Sequence, residues 1–407
     1  MRAQYDYRDK FDFVLFTAVS ILIVIGLAAI YSSTQNTVNE QNSIYKQLAF
    51  WLVSLFAFSF VYSIPLQTIR SFTIPLYLTT ILLLIIVLFL GRVAGGAKSW
   101  IPIGPFSLQP SEFAKISTLL ALASYLSKPT TDIDSFKDLG YAIAIGMAPV
   151  LLILLEPDLG SALVFINLVL LLIFWKGISL FGLFVVLSPA VTALAALFGT
   201  PFLLAVLGLI VLVLLIVRKD IFFSGSIFAL NLSAAYFVDE LYSILSPHQQ
   251  KRIMSFIDPG ADPLGSGYNS LQAIIAVGSG GFLGQGFLSG NQTQLQFIPE
   301  QWTDFIFCVI GEEKGFIGSL IVISLYTIIF FRLMKIARIS KDEFSSMLLI
   351  GILIVMFTHF FINIGMVLGL LPVIGIPLPF LSYGGSSLLS NMIMLGLVMN
   401  IYKNLKI

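Results

Sequence analysis

Two aspartates four residues apart, Asp258 and Asp262, stand in the loop "FIDPGADPLGSGYNSLQ", each followed by proline. A carboxylate in such a loop acts as a general base when its pKa and position suit. The competing reading is an Asx-type turn in each Asp-Pro step. The pair also offers two oxygen ligands to a hard cation, too few to define a site. In "QPSEFAKISTLL", Glu112 and Lys115 lie three residues apart at the start of an apolar run, so both project from one helix face. An ionisable pair inside a span faces the bundle interior or a cavity; it serves there as a functional pair or as a self-neutralising structural one. Pro110-Ser111 reads as the helix start, with Ser111 as N-cap.

Other groups extend this inventory. "LLEPDLGSALV" puts Glu156 and Asp158 at a hinge between two runs, where acidic residues suit the next helix N-terminus. "PEQWTDFIFCVIGEEKG" brings Glu300, Asp304, Glu312, Glu313 and Lys314 near one helix, with Asp304 and Glu312 expected at membrane depth. Arg92 and Lys98 are natural anion partners, or headgroup contacts at an interface. "VGSGGFLGQG" looks like a phosphate loop but follows no strand and opens no βαβ helix, so that reading fails. "PFLSYGGSS" supplies Gly384 and Gly385 for close backbone approach, with Ser386 and Ser387 as caps for the last helix.

The elements that must position these groups are membrane helices. The 407 residues are 58% hydrophobic and 11% charged, against roughly 25% charged in soluble domains, and the mean hydropathy is +0.98. Apolar runs near 12–31, 47–64, 71–90, 111–127, 140–155, 159–175, 179–197, 201–217, 221–238, 305–331, 347–369 and 386–402 approach or reach the ~20 residues of a span. The expected fold is all-α and polytopic, a single domain over 1–407 with about 10–12 transmembrane helices, because lipid leaves backbone groups no other partner. The net charge of +1 gives no hint of nucleic acid, and the single Cys308 excludes an internal disulfide. The charged start "MRAQYDYRDK" reads as a cytoplasmic tail, not a cleaved signal. With the N-terminus inside, fifteen of the 22 Lys and Arg fall on the cytoplasmic side. Both termini are then cytoplasmic. Three Gly- and Pro-rich segments lie outside: 91–110, the large loop 239–304, and 370–385. These residues alone leave a transporter, a channel and a lipid-processing transferase open.

The motifs "GAKSWIPIGPFSLQPSEFAKI", "EPDLGSA", "DPLGSGYNSLQAIIAVGSGGFLGQG", "FIPEQWTDFIFCVIGEEKGFIG" and "NIGMVLGLLPVIGIPLPFLSYGGSS" occur in order over residues 96 to 387. Together they resemble the SEDS family (shape, elongation, division and sporulation). The paired "DPxxDPLGxGYN" form resembles the elongation-type members; division-type members typically lack its first Asp. The resemblance implies a peptidoglycan glycosyltransferase of the bacterial cytoplasmic membrane, polymerising lipid II at the outer face. The donor is the glycan chain on undecaprenyl pyrophosphate, and the step inverts configuration. It also implies roles for residues. Asp262, before "LGSGY", matches the family's essential aspartate. Asp258 is then supporting, as are Glu300, Asp304 and Ser386. Lys115 would contact pyrophosphate or tune the cavity field with Glu112 as counter-ion, and Arg92, Lys98 and Trp100 would border the cavity. A divalent cation, magnesium or manganese, would help neutralise the pyrophosphate, and no ligand set marks a site for it.

The implied partner is a class B penicillin-binding protein, a transpeptidase, since this chain carries no such domain. Family members usually have ten spans, so an extra helical pair near 201–238 is a departure that preserves the parity of the loops. A lipid II flippase is the alternative from another class, with a division-type polymerase the alternative within the family and a scaffold for the cell-wall machinery a third reading. The polar groups gather on the outer side, which favours the enzyme over the flippase.

Overall fold

Every one of the twelve apolar runs is helical in the computed structural model, which describes residues 10–36, 40–94, 96–104, 106–217, 220–245, 247–257 and 267–405. The chain opens with α1 (Phe13–Thr34), α2 (Ser43–Ser63), the short α3 (Leu66–Ser71) and α4 (Thr73–Leu90). Three strands follow: β1 (Arg92–Ala94), β2 (Ala97–Ile103) and β3 (Phe106–Leu108). Then come α5 (Pro110–Leu126), α6 (Phe136–Leu155), α7 (Leu159–Lys176), α8 (Leu180–Leu197), α9 (Thr200–Val217) and α10 (Ile221–Tyr236). Short helices α11 (Val238–Ile244), α12 (Pro247–Ile257), α13 (Tyr268–Ser279) and α14 (Asn291–Gln294) occupy the large loop. The chain closes with α15 (Ile306–Ile339), α16 (Glu343–Val367) and α17 (Gly385–Asn404). Among the described residues, ten helices are long and apolar enough to cross a membrane. The apolar α10 is shorter, at 16 residues, and α5, at 17, carries Glu112 and Lys115 in its first turns. This is a multi-pass membrane protein.

Three local features differ from the expectation. The segment 91–110 is not irregular but a three-stranded antiparallel sheet, in which Arg92 pairs with Trp100 and Ile101 with Leu108. Ser111 is not the cap of α5: Gln109 holds that position, and the Ser111 hydroxyl is buried without a partner. Ser386 and Ser387 likewise sit inside α17, whose N-cap is Gly384. Carboxylate caps do occur at α1 and α16, where Asp12 accepts from the Leu15 amide at 3.0 Å and Asp342 from that of Ser345 at 3.1 Å. Each satisfies an otherwise orphaned amide.

One core runs through α1, α5, α7, α15, α16 and α17, with α16 central. A smaller cluster of Ile210, Leu214 and Ile227 joins α9 to α10 and to Phe181 and Phe184 of α8. There the buried Asn231 amide donates to the Ser188 hydroxyl at 3.1 Å and accepts from that of Thr192 at 2.8 Å. Such bonds tie helices together where lipid offers no hydrophobic contrast.

The helix α15 is broken inside its apolar length at Gly315, with φ 63°. The Gly-rich stretch after α13 takes up the freed groups. Amides of Gln285 and Gly286 donate to the Glu312 and Glu313 carbonyls at 2.9 and 3.1 Å, and the Phe316 amide donates to Gly281 O at 2.9 Å. A Cβ on Gly284 would lie 2.2 Å from Glu313 O, so glycine is what lets the two backbones meet. Irregular backbone at this depth persists only when such partners satisfy it.

The three loops meet at one end of the bundle. Lys98 N donates to Glu156 O at 3.1 Å, and the Gln249 amide to Pro157 O at 3.1 Å. Arg252 donates to Ile374 O at 2.6 Å, and Tyr383 N to Trp302 O at 2.9 Å. At the other end Arg332 pairs with Asp12 at 2.5 Å, Lys176 pairs with Glu343, and Asn400 donates to carbonyls at the end of α2. The first and last described residues both lie at that second end.

Candidate active site

Asp304 occupies the loop end, two residues before α15 rather than within it, and is half-buried. Its backbone is fixed: N donates to Glu300 O at 3.2 Å, and its carbonyl accepts from the Asn363 side-chain amide at 2.7 Å. Its carboxylate makes no hydrogen bond or ion pair among the described residues. Burial pushes it up to about 7, Glu300 and Asp158 add to the rise, and the Arg252 guanidinium opposes it. A carboxyl poised near neutrality is what a general base requires.

Arg252 reaches the same place from α12. Burial lowers its pKa, opposed by Asp304 and then Asp158. One of its N–H groups is spent on Ile374 O, and it forms no ion pair among the described residues. A guanidinium carries five donors in a planar fork that matches phosphate. Gly375, at φ +82°, separates the two groups. A Cβ there would lie 3.1 Å from Asp304 Oδ2 and 3.5 Å from Arg252 Nη1. Asp304 and Arg252 therefore face a shared gap without closing it.

Beneath this gap lies a buried ionic chain. Lys115 Nζ donates to Glu112 Oε1 at 2.8 Å, and Ser390 donates to Glu112 Oε2 at 2.7 Å. Lys115 also lies 3.0 Å from His359 Nε2, while His359 Nδ1 is 3.0 Å from Pro377 O. A carbonyl only accepts, so Nδ1 carries the proton and the Nε2 lone pair accepts from Lys115. Glu112 and Lys115 are each 2% exposed. They are one unit sealed in the bundle, with His359 and Ser390 as the members sequence reasoning missed. The signal for His359 was an ionisable side chain inside the run 347–369.

The other expected site residues are spread around the same end. Lys98 Nζ donates to Leu88 O and Phe89 O at 2.8 and 3.1 Å, capping the C-terminus of α4. Arg92 is exposed on β1 beside the half-buried Trp100 on β2. Glu300 is exposed and accepts from the Thr303 hydroxyl at 3.2 Å. Ser386 accepts from Gln109 N at 3.1 Å and donates to Ser107 O at 3.4 Å, tying α17 to β3. Asp258 and Asp262 lie outside the described residues. At the α6–α7 hinge, Asp158 caps α7 through Ser161 N at 3.0 Å, whereas Glu156 is wholly buried with neither oxygen bonded. Burial pushes Glu156 up to about 8; nearby Ser99 opposes the rise and Asp158 adds to it. Among the described residues no three His, Cys, Asp or Glu side chains converge for a metal ion.

Comparison with known proteins follows this geometry. The FtsW/RodA/SpoVE family of cell cycle proteins matches residues 11–198 and 182–407. Peptidoglycan glycosyltransferase MrdB of Escherichia coli (strain K12) is 33% identical over 387 residues, covering 95% of this chain and 91% of that protein. Peptidoglycan glycosyltransferase RodA of Treponema pallidum (strain Nichols) is 34% identical over 423 residues, covering 97% and 98%. A chain from a structure on the coordination of polymerization and crosslinking by a peptidoglycan synthase complex superposes with a TM-score of 0.73 at 27% identity, covering 97% and 98%. The crystal structure of the Thermus thermophilus rod shape determining protein RodA gives a TM-score of 0.65 at 25% identity, covering 98% of each chain. The chain belongs to the FtsW/RodA/SpoVE family, the SEDS family its motifs resemble.

Proposed function

We propose that this protein is a peptidoglycan glycosyltransferase that joins lipid II disaccharides into β-1,4 glycan strands, with Asp262 as the general base and Asp304 as a supporting acid. The observation that carries this reading is the acid–cation gap at the loop end, where the Asp304 carboxyl has no hydrogen bond or ion pair among the described residues and lies across Gly375 from the Arg252 guanidinium. The relatives named as peptidoglycan glycosyltransferases support the reaction class. The acceptor's 4-hydroxyl gives its proton to Asp262 and attacks the donor's anomeric carbon. The new C–O bond forms as the bond to the lipid pyrophosphate breaks, with the electron pair leaving on the pyrophosphate. Displacement from the opposite face inverts α to β without a covalent intermediate. Arg252 supplies positive charge for the pyrophosphate. The sealed Glu112–Lys115 pair tunes the field below the gap without touching substrate. Asp262 carries the role by its motif, and Asp304 stands as the rival base, from its environment alone.

The loop end faces outward and both termini face the cytoplasm, on the strength of the Lys/Arg distribution. A class B penicillin-binding transpeptidase is the partner, by likeness to the peptidoglycan synthase complex.

The test reconstitutes the chain with such a transpeptidase and fluorescent lipid II, and follows polymer on gels. Asp262→Asn is expected to lose ~10²–10⁴-fold in rate. Full activity in Asp262→Asn, with loss in Asp304→Asn, moves the base to Asp304. Translocation of lipid II by the wild-type protein without polymer would instead favour a flippase.

A further inference from the structure

The "GEEKG" segment of α15 carries two carboxylates that the bundle absorbs and one cation that it does not. Glu312 accepts from the Gln292 and Thr293 amides at 2.7 and 2.9 Å. Glu313 accepts from the Ser32 hydroxyl and from the Leu288 amide at 3.2 Å. Both are buried. Lys314, the next residue, is exposed and forms no ion pair among the described residues. Its ammonium rests 5.1 Å from the centre of the Phe287 ring, which stacks on Tyr31 at 6.5 Å. A Cβ on Gly318 would lie 2.2 Å from Lys314 Cβ, so glycine there leaves the lysine stem its place along α15. Beside Lys314 a groove of about 390 Å³ opens between α1 and α15. Ile25 and Ala28 line one wall, Ile317 and Ile321 the other, and Phe287 adds to the lining. Eighteen residues separate Lys314 from Arg332 at the opposite end, about 27 Å of helix. That is close to the ~30 Å of a hydrocarbon core. Lys314 therefore stands at headgroup level on the loop side, level with the interfacial ring of Tyr31, and the groove descends from it among the acyl chains.

We propose that this groove binds an anionic glycerophospholipid of the leaflet on the loop side, with its phosphate on Lys314 and one acyl chain between α1 and α15. A lysine at this level meets headgroups in any case; the cavity beside it turns that contact into a site, with a volume in the ~300–1,000 Å³ range of ligand pockets. A transmembrane helix is about 10–12 Å across and lies over such a groove, whereas a single acyl chain enters it. The ammonium favours a net negative headgroup, because a zwitterionic one brings its own cation to the same place. The Glu313 carboxylate, although it lines the groove, is turned onto Ser32 and Leu288 and is 3% exposed. The site stands apart from the gap between Asp304 and Arg252, and does not depend on which aspartate is the base.

The experiment places the full chain in vesicles containing phosphatidylglycerol with a photoreactive diazirine in its acyl chain. Crosslinks are mapped by peptide mass spectrometry and competed with unlabelled phosphatidylglycerol, phosphatidylethanolamine or undecaprenyl phosphate. Labelling is expected to concentrate on residues 25–29 and 309–321, above the level on α4, whose Leu76, Leu78 and Leu82 are also exposed. Lys314→Gln is expected to lower this labelling about fivefold, the worth of one interfacial cation, and Lys314→Arg to keep it. Ala28→Phe, at an exposed position, fills the groove and is expected to abolish the labelling with the charge in place. It decides the case where Lys314→Gln does not survive purification. Labelling no denser in the groove than on α4, or unchanged in either variant, overturns the proposal. So does displacement by phosphatidylethanolamine as effective as that by phosphatidylglycerol, or preferential displacement by undecaprenyl phosphate. Loss of the labelling when the transpeptidase is added gives the groove to a partner helix and overturns it too.

Discussion

Removing the Lys115 ammonium tests the buried ionic unit most sharply. In Lys115→Met, Glu112 Oε1 loses its 2.8 Å partner and keeps only the Ser390 bond on Oε2. His359 Nε2 loses its 3.0 Å donor as well. Breaking a buried pair by removing one partner costs about 3–5 kcal/mol. A cap exists, because the stranded carboxyl can take up a proton, which at pH 7 costs about 3–4 kcal/mol from the ordinary carboxylate range. The bare imidazole nitrogen adds about 1–3 kcal/mol. The single variant should therefore lose about 4–7 kcal/mol, most of it recovered by taking the charge away from Glu112 too. The double variant Glu112→Gln/Lys115→Met should lose only about 1–3 kcal/mol. Thermal inactivation of detergent-solubilised protein, followed by size exclusion, should rank wild type above the double variant and the double above Lys115→Met. A Lys115→Met protein as durable as wild type, or a double variant weaker than the single, would refute the reasoning.

Two further outcomes follow from other groups. Glu156, raised to about 8 when folded, favours the protonated state. Its contribution to stability is full below the ordinary carboxylate range and is lost as pH rises through about 8, by at most on the order of 3–5 kcal/mol. Glu156→Gln should therefore flatten the fall in thermal stability between pH 5 and pH 9; parallel curves would contradict the assignment. Gly284→Ala would place a Cβ 2.2 Å from Glu313 O at a φ of +85°. It should cost at least about 1–3 kcal/mol and increase proteolysis between α13 and α15, whereas an unchanged digest would show the two backbones can part.

Much of the fold was legible because lipid permits so few solutions. Each apolar run became a helix, and the parity of crossings brought segments 91–110, 239–304 and 370–385 to one end. The β1–β3 sheet was not legible, since its strands are only three to seven residues long. At the site, Glu112 and Lys115 announced themselves by spacing. Their partners His359 and Ser390 are 244 and 278 residues away, and no local pattern encodes such contacts. Arg252 was passed over as one of several loop cations. Its meaning comes from Gly375 and Asp304, which only tertiary packing brings beside it. Asp304 was expected at membrane depth; its position just ahead of α15, under the Asn363 amide, is what gives it a base's environment.

The rate of glycan polymerisation by the reconstituted complex, measured for wild type, Asp262→Asn and Asp304→Asn, tests the central claim most directly. Asp262→Asn should fall ~10²–10⁴-fold, and Asp304→Asn should fall less. An Asp262→Asn enzyme that polymerises at the wild-type rate would contradict the account.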